Sequence, residues 1–240
     1  MAQKSNPETE GSEATEGNTA RVGHHAGFGC AIFIAAIVMF LGIVAWSFYT
    51  LKKQDDAIAE FTTLTPAELP FPDPKDGMAE FEELDSRIKT FAEACKAKTP
   101  TTLALSPDDL NRMLSLMPSL NAYRGLVRFN EIKDDGLIAT SFALPMNQMR
   151  FWEGKRHLVG DGHLQLTYQP AEFRLYLILH DLTTATAEVP EGFLYNFEHW
   201  LWLTPYYDDD ETKAVLLQIT GLHFAENKVW LLANDAEAPE

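Results

Sequence analysis

Two histidines, His157 and His163, stand six residues apart around Gly160-Asp161-Gly162, and they come nearest to a reactive constellation in this chain. A metal would need both imidazoles to converge with a carboxylate such as Asp161. An even spacing on a strand puts two side chains on one face. The paired glycines, however, predict a bulge that breaks that register, and no third ligand follows at a diagnostic spacing. Exposed or hydrogen-bonded histidines are therefore expected, and an enzyme built on His157, Asp161 and His163 is the third of three functional hypotheses.

Other chemistries find less. The Gly-Asp-Gly lacks the Walker spacing and a following helix N-terminus, so it reads as a bend in a sheet. The run Asp208-Asp209-Asp210-Glu211 offers oxygen ligands of the kind calcium prefers, yet without the EF-hand glycine and distal Glu it reads as a solvated loop. No Gly-x-Ser-x-Gly elbow occurs. Cys95 falls among apolar helix positions and is expected to be buried and inert. Glu198 and His199 are adjacent, so on a helix they diverge by about 100°. No catalytic residue, cofactor or metal is expected.

The aromatic cluster Phe193, Phe197, Trp200, Trp202, Tyr206 and Tyr207 is the feature least like routine surface. Most of it suits core packing. As a functional surface, a helix and its following loop would edge an apolar pocket or a protein interface, where Tyr and Trp are common.

These residues must be positioned by the elements around them. Between Arg21 and Lys52 there is no Asp, Glu, Lys or Arg, and residues 28–51 read FGCAIFIAAIVMFLGIVAWSFYTL. At about 1.5 Å per residue that run covers roughly 36 Å, enough to cross a hydrocarbon core of about 30 Å. Trp46 and Tyr49 near one end, with Lys52 and Lys53 beyond, resemble an interfacial belt. The run exceeds a signal-peptide core and follows a long acidic tail, which favours an uncleaved anchor. Arg21 against Lys52 and Lys53 places the large domain inside by charge. The plan of short tail, one span and one domain favours an extracytoplasmic domain at a bacterial inner membrane, and that is the orientation expected.

Residues 1–26 hold four Glu and almost no large apolar residue, and are expected to be a disordered acidic tail. Residues 52–77 carry Pro66, Pro70, Pro72 and Pro74 and read as a semi-rigid stem. The globular domain is expected over 78–235, with a disordered end at 236–240.

Within that domain, Met78, Phe81, Leu84, Ile88, Phe91 and Cys95 recur at helical steps. Ser106, Pro107, Asp108 and Asp109 then mark a second helix start, which Pro118 ends. Beyond it the period becomes alternating. Segments 124–132 and 137–144, 156–168 and 172–182, and 214–224 and 228–233 read as three hairpins, with a helix opened by Pro190 between the second and third. Phe173, Leu175, Leu177 and Leu179 are expected on one face of their strand. The expected class is α+β: one transmembrane helix, then helices packed on an antiparallel sheet of about six strands.

The chain has 240 residues, and 19 Lys+Arg against 35 Asp+Glu leave a net charge of -16. That balance argues against nucleic acid, whose phosphates need a basic patch. The two cysteines, Cys30 in the span and Cys95 in the domain, offer no disulfide framework.

The stretch LALSPDDLNRMLSL, followed by a strand pair and then HLVGDGHLQLTYQPAEFRLYLILHDLTTATAEVPEGFL, resembles a group of bacterial single-pass membrane proteins of unknown function. In that group a Thr/Ser-x-x-Asp/Glu-Leu/Ile-Asn helix start precedes a sheet, and a strand leads into a proline-initiated helix. Ser106, Asp109, Leu110, Asn111 and Pro190 stand at those places, and the likeness covers roughly residues 100–204. More distantly, a helix on a curved sheet is similar to membrane-tethered lipid-binding modules, including the tubular lipid-binding class. The function expected first is a non-enzymatic, membrane-anchored binding or scaffold domain for an envelope protein partner. The alternative is binding of lipid or a small apolar ligand at the membrane surface.

Overall fold

The computed structural model describes residues 26–146, 155–198 and 203–238. They form an α+β fold with an N-terminal apolar helix and antiparallel sheets. The chain divides into two compact units, Met1–Lys53 and Gln54–Glu240.

The described part of the first unit is helical and belongs to α1 (Ala26–Phe61), which is long and apolar enough to cross a membrane. Phe33, Met39, Phe40, Trp46 and Phe48 are each more than 60 % exposed. Hydroxyls on this apolar helix satisfy themselves internally: Ser47 Oγ donates to Ile43 O at 2.8 Å and Thr50 Oγ1 to Trp46 O at 2.7 Å.

The second unit begins with the last turns of α1. Sequence reasoning gave residues 52–77 to a stem, but Ile58 and Phe61 are buried in the core. No proline lies between Pro7 and Pro66, and the two side chains lie three residues apart on one helix face. Thr63 then exchanges two backbone hydrogen bonds with His157, at 2.9 and 2.7 Å.

Helix α2 (Met78–Lys96) buries Phe81, Leu84, Phe91 and Cys95, while Met78 at its start is exposed. Strand β1 (Thr101–Leu105) follows, and α3 (Pro107–Leu116) opens on a capping box. In it Asp109 N–H donates to Ser106 Oγ and Ser106 N–H to Asp109 Oδ2. Arg87 from α2 reaches across to donate to Asp109 Oδ1 at 2.7 Å and to Ala104 O at 3.0 Å. Extended backbone at Met117 ends α3, and a 3-10 helix, Pro118–Tyr123, begins.

Strands β2 (Val127–Ile132), β3 (Leu137–Pro145), β4 (His157–Gln169) and β5 (Arg174–Thr184) form a four-stranded antiparallel sheet in that order. Strands β6 (Ile219–Ala225) and β7 (Lys228–Ala233) make a second sheet with β1, in the order β1-β7-β6. The expectation of one sheet of about six strands is thus corrected to two sheets, of four and three strands among the described residues. The reason is that β7 takes β1 as its second neighbour, with Thr101 opposite Ala233, instead of extending the first sheet. The sheets are joined where Ile132 N–H donates to Asn227 Oδ1 at 2.7 Å. Glu226 and Asn227, at φ 54° and 58°, form the tight β6–β7 turn.

Two local expectations also change. Residues 214–216, read as the start of a strand, close α5 (Asp210–Leu216), because Asp209 caps that helix by accepting from Thr212 N–H at 2.8 Å. Phe173 is not in β5. It sits in the preceding turn at φ 51° and is 58 % exposed, while Leu175 and Leu179 are buried.

Candidate functional site

The inner face of the four-stranded sheet carries the apolar side of each strand's alternation, and it floors a cavity of ≈ 70 Å³ with Val127, Phe129, Phe142, Leu164 and Leu177. A helical wall supplies Leu114 from α3 with Leu120 and Tyr123 from the 3-10 helix. Leu203 and Tyr206 close the third side. The lining surface is essentially all carbon. Burial raises the Tyr123 phenol above its ordinary pKa, and burial then the neighbouring Tyr123 raise Tyr206, so both are neutral at physiological pH. This volume is about half that of an engineered 150 Å³ cavity that takes up benzene.

Of the six aromatic residues singled out in the sequence, Tyr206 lines this cavity. Phe193, on α4 (Glu191–Glu198), is buried in the core instead. Tyr207 is also buried: its hydroxyl accepts from Leu175 N–H at 2.8 Å, Arg174 lies 4.5 Å over its ring, and burial raises its pKa. Phe197 belongs to α4, but its side chain lies outside the described residues, as do Trp200 and Trp202. The floor residues Phe129, Phe142 and Leu164 were missed as site residues. Alternation marks them as inward-facing, but no local signal says that the space above them is incompletely filled.

The histidines do not converge. Strand β4 keeps its register through Gly160 and Gly162, and the irregularity lies opposite, where β5 skips a residue between the partners of His163 and Leu164. The glycines serve close approach instead of a bulge, since a Cβ at either would stand 2.3 or 2.2 Å from a carbonyl oxygen of β5. His157 and His163 therefore share the outer face but stand about 20 Å apart along the strand. Asp161 accepts from Ser141 Oγ at 2.5 Å. His163 Nδ1 lies 2.9 Å from Asp181 Oδ1 and its Nε2 lies 2.9 Å from Lys133 Nζ. With Nδ1–H donating to the carboxylate and the ammonium donating to Nε2, the lone pair a general base would use is engaged.

Sequence reasoning also missed the Ser-x-x-Lys spacing at Ser86 and Lys89, but on α2 the Lys89 ammonium pairs with Asp85 at 2.6 Å. The acidic run is not a loop throughout. Asp209 is the cap of α5, and Asp210 and Glu211 lie in its first turn, where the helix dipole favours them. Among the described residues no group of three or more His, Cys, Asp or Glu side chains is placed to hold a metal ion. No protein-family model, curated protein or solved structure matches this chain.

Proposed function

We propose that this chain is a single-pass membrane-anchored binding protein without a catalytic step of its own. Its folded unit, extracytoplasmic at a bacterial inner membrane, takes an apolar ligand such as the hydrocarbon part of a lipid. The observation that carries this reading is the all-carbon cavity between the sheet floor and the α3 wall. The apolar span of α1 supports it, because an anchored domain meets lipid at high local concentration.

Native mass spectrometry of the membrane-extracted full chain is the test. A stoichiometric apolar mass is expected on the wild type and is expected to disappear in Leu177→Phe, which fills the cavity from its floor. A clean apo mass for the wild type sinks the reading.

An envelope-protein scaffold is the second reading, and exposed Phe173 at the β4–β5 turn favours it. Crosslinking in membranes that captures one partner through this turn, and loses it in Phe173→Ser, would move this reading to first place.

A further inference from the structure

At ≈ 70 Å³ the cavity takes in only a short part of a lipid's hydrocarbon chain, so seating more of it needs a wall to move. The floor is a ladder of paired strands. The helical wall is pinned unevenly. Its first half is held by buried groups: Asp109 by Ser106 and Arg87, and Asn111 by both backbone groups of Phe129, at 2.7 and 2.9 Å. Past Asn111 the wall carries its lining residues Leu114, Leu120 and Tyr123, and it is broken by the extended backbone at Met117.

This far end is tied from outside by the proline segment 66–76. Ser115 Oγ donates to Pro72 O at 3.0 Å, and Leu69 N–H donates to Gly125 O at 3.1 Å. The Arg124 guanidinium lies 4.2 Å over the Phe71 ring and 3.6 Å from Asp73 Oδ2. The same segment is tied to the fixed sheet, because Arg128 on β2 donates to Pro70 O at 2.7 Å. It thus bridges the two sides that must separate. Its ties run from exposed to half-buried, with Phe71 exposed and the Ser115–Pro72 bond partly buried, and such contacts open before fully buried ones. Pro66, Pro70 and Pro72 fix φ along it, and Pro74 lies in a turn closed by Asp76 N–H donating to Asp73 O at 2.9 Å, so it re-docks with little loss of chain entropy.

We propose that segment 66–76 is a latch on the cavity. Docked, it keeps the wall on the sheet; released, it lets the wall past Asn111, residues 112–123, swing away and admits an apolar chain. The proposal rests on the ligand reading above.

The test uses the full chain in nanodiscs, in a Cys30→Ala background, with Leu164→Cys on the cavity floor as a target for a small maleimide. Buried Cys95 stays as the gauge of global unfolding. Combining Ser115→Ala with Arg128→Ala removes two ties and is expected to speed labelling at position 164 about tenfold while Cys95 stays unlabelled. Sodium decanoate is expected to slow that labelling. A labelling rate unchanged by loss of both ties overturns the latch, and if decanoate still protects, the ligand reading survives that failure. Faster labelling that decanoate leaves untouched keeps the latch and sinks the ligand reading. Labelling of Cys95 in step with position 164 also overturns the latch, because the whole fold is then opening. Val127→Cys, buried on the same floor, replaces Leu164→Cys if that variant does not fold.

Discussion

The rings of Phe61 and Phe193 meet edge to face, with centroids 4.8 Å apart and planes at 67°, so the last turn of α1 and the first turn of α4 share one core. Both rings are buried. Phe61→Ala is expected to destabilise the folded unit by about 3–5 kcal/mol, the usual range for a buried phenylalanine. Urea unfolding followed by circular dichroism checks it.

The same contact sets where the folded unit can be cut. A fragment beginning at Gln54 keeps Ile58, Phe61 and the Thr63–His157 bridge, whereas one beginning at Asp76 loses all three. The first is expected to unfold in one cooperative transition and the second to lack one. Equal midpoints for the two fragments would contradict the role given to the end of α1.

Asn111 is the next test. Its amide satisfies Phe129 N–H and O together, and Asn111→Ala strands both groups. With each stranded group costing about 1–3 kcal/mol, a loss of about 2–6 kcal/mol is expected. Asn111→Asp keeps the acceptor for Phe129 N–H but sets a buried carboxylate oxygen against Phe129 O, so it is expected to cost at least as much at neutral pH.

Glycines on β4 and α4 should behave oppositely. Gly162→Ala drives a methyl group into Asp181 O and is expected to cost about 1–3 kcal/mol or more. Gly192→Ala on α4 meets nothing within 4 Å and is expected to stabilise by up to about 1 kcal/mol, through helix propensity. Thermal unfolding of the two variants side by side decides.

Asp209 gives a pH dependence with a definite sign. Hydrogen bonds from Thr212 hold its carboxyl below the ordinary value, so the folded state favours the charged form. Its contribution is complete above the ordinary carboxylate range and is lost as pH falls through the lowered value. Amide exchange at Thr212, corrected for intrinsic rates, is expected to accelerate in that acid window. In Asp209→Ala it is expected to be fast at every pH.

Parts of this architecture were legible because they are local. Ser106, Pro107 and Asp109 announce α3 through a cap whose atoms lie within four residues, and the helical spacing of Phe81, Leu84, Phe91 and Cys95 picks out the buried face of α2. Strand β1 was not legible, since a five-residue strand gains its meaning from a partner at the far end of the chain. Val215, Leu216 and Leu217 form a short apolar run of a length that fits helix or strand alike. The aromatic cluster drew notice by composition, but whether Phe193 or Tyr206 faces the cavity depends on which elements pack above the sheet. The cavity itself is a property of imperfect filling, to which no residue type corresponds.

The amide of Asn111 occupies the outer backbone groups of Phe129 as a neighbouring strand would, and β2 is the first strand of its sheet. An open edge is an invitation to a second molecule. A side chain that imitates a strand denies such a molecule its template at that point of the edge.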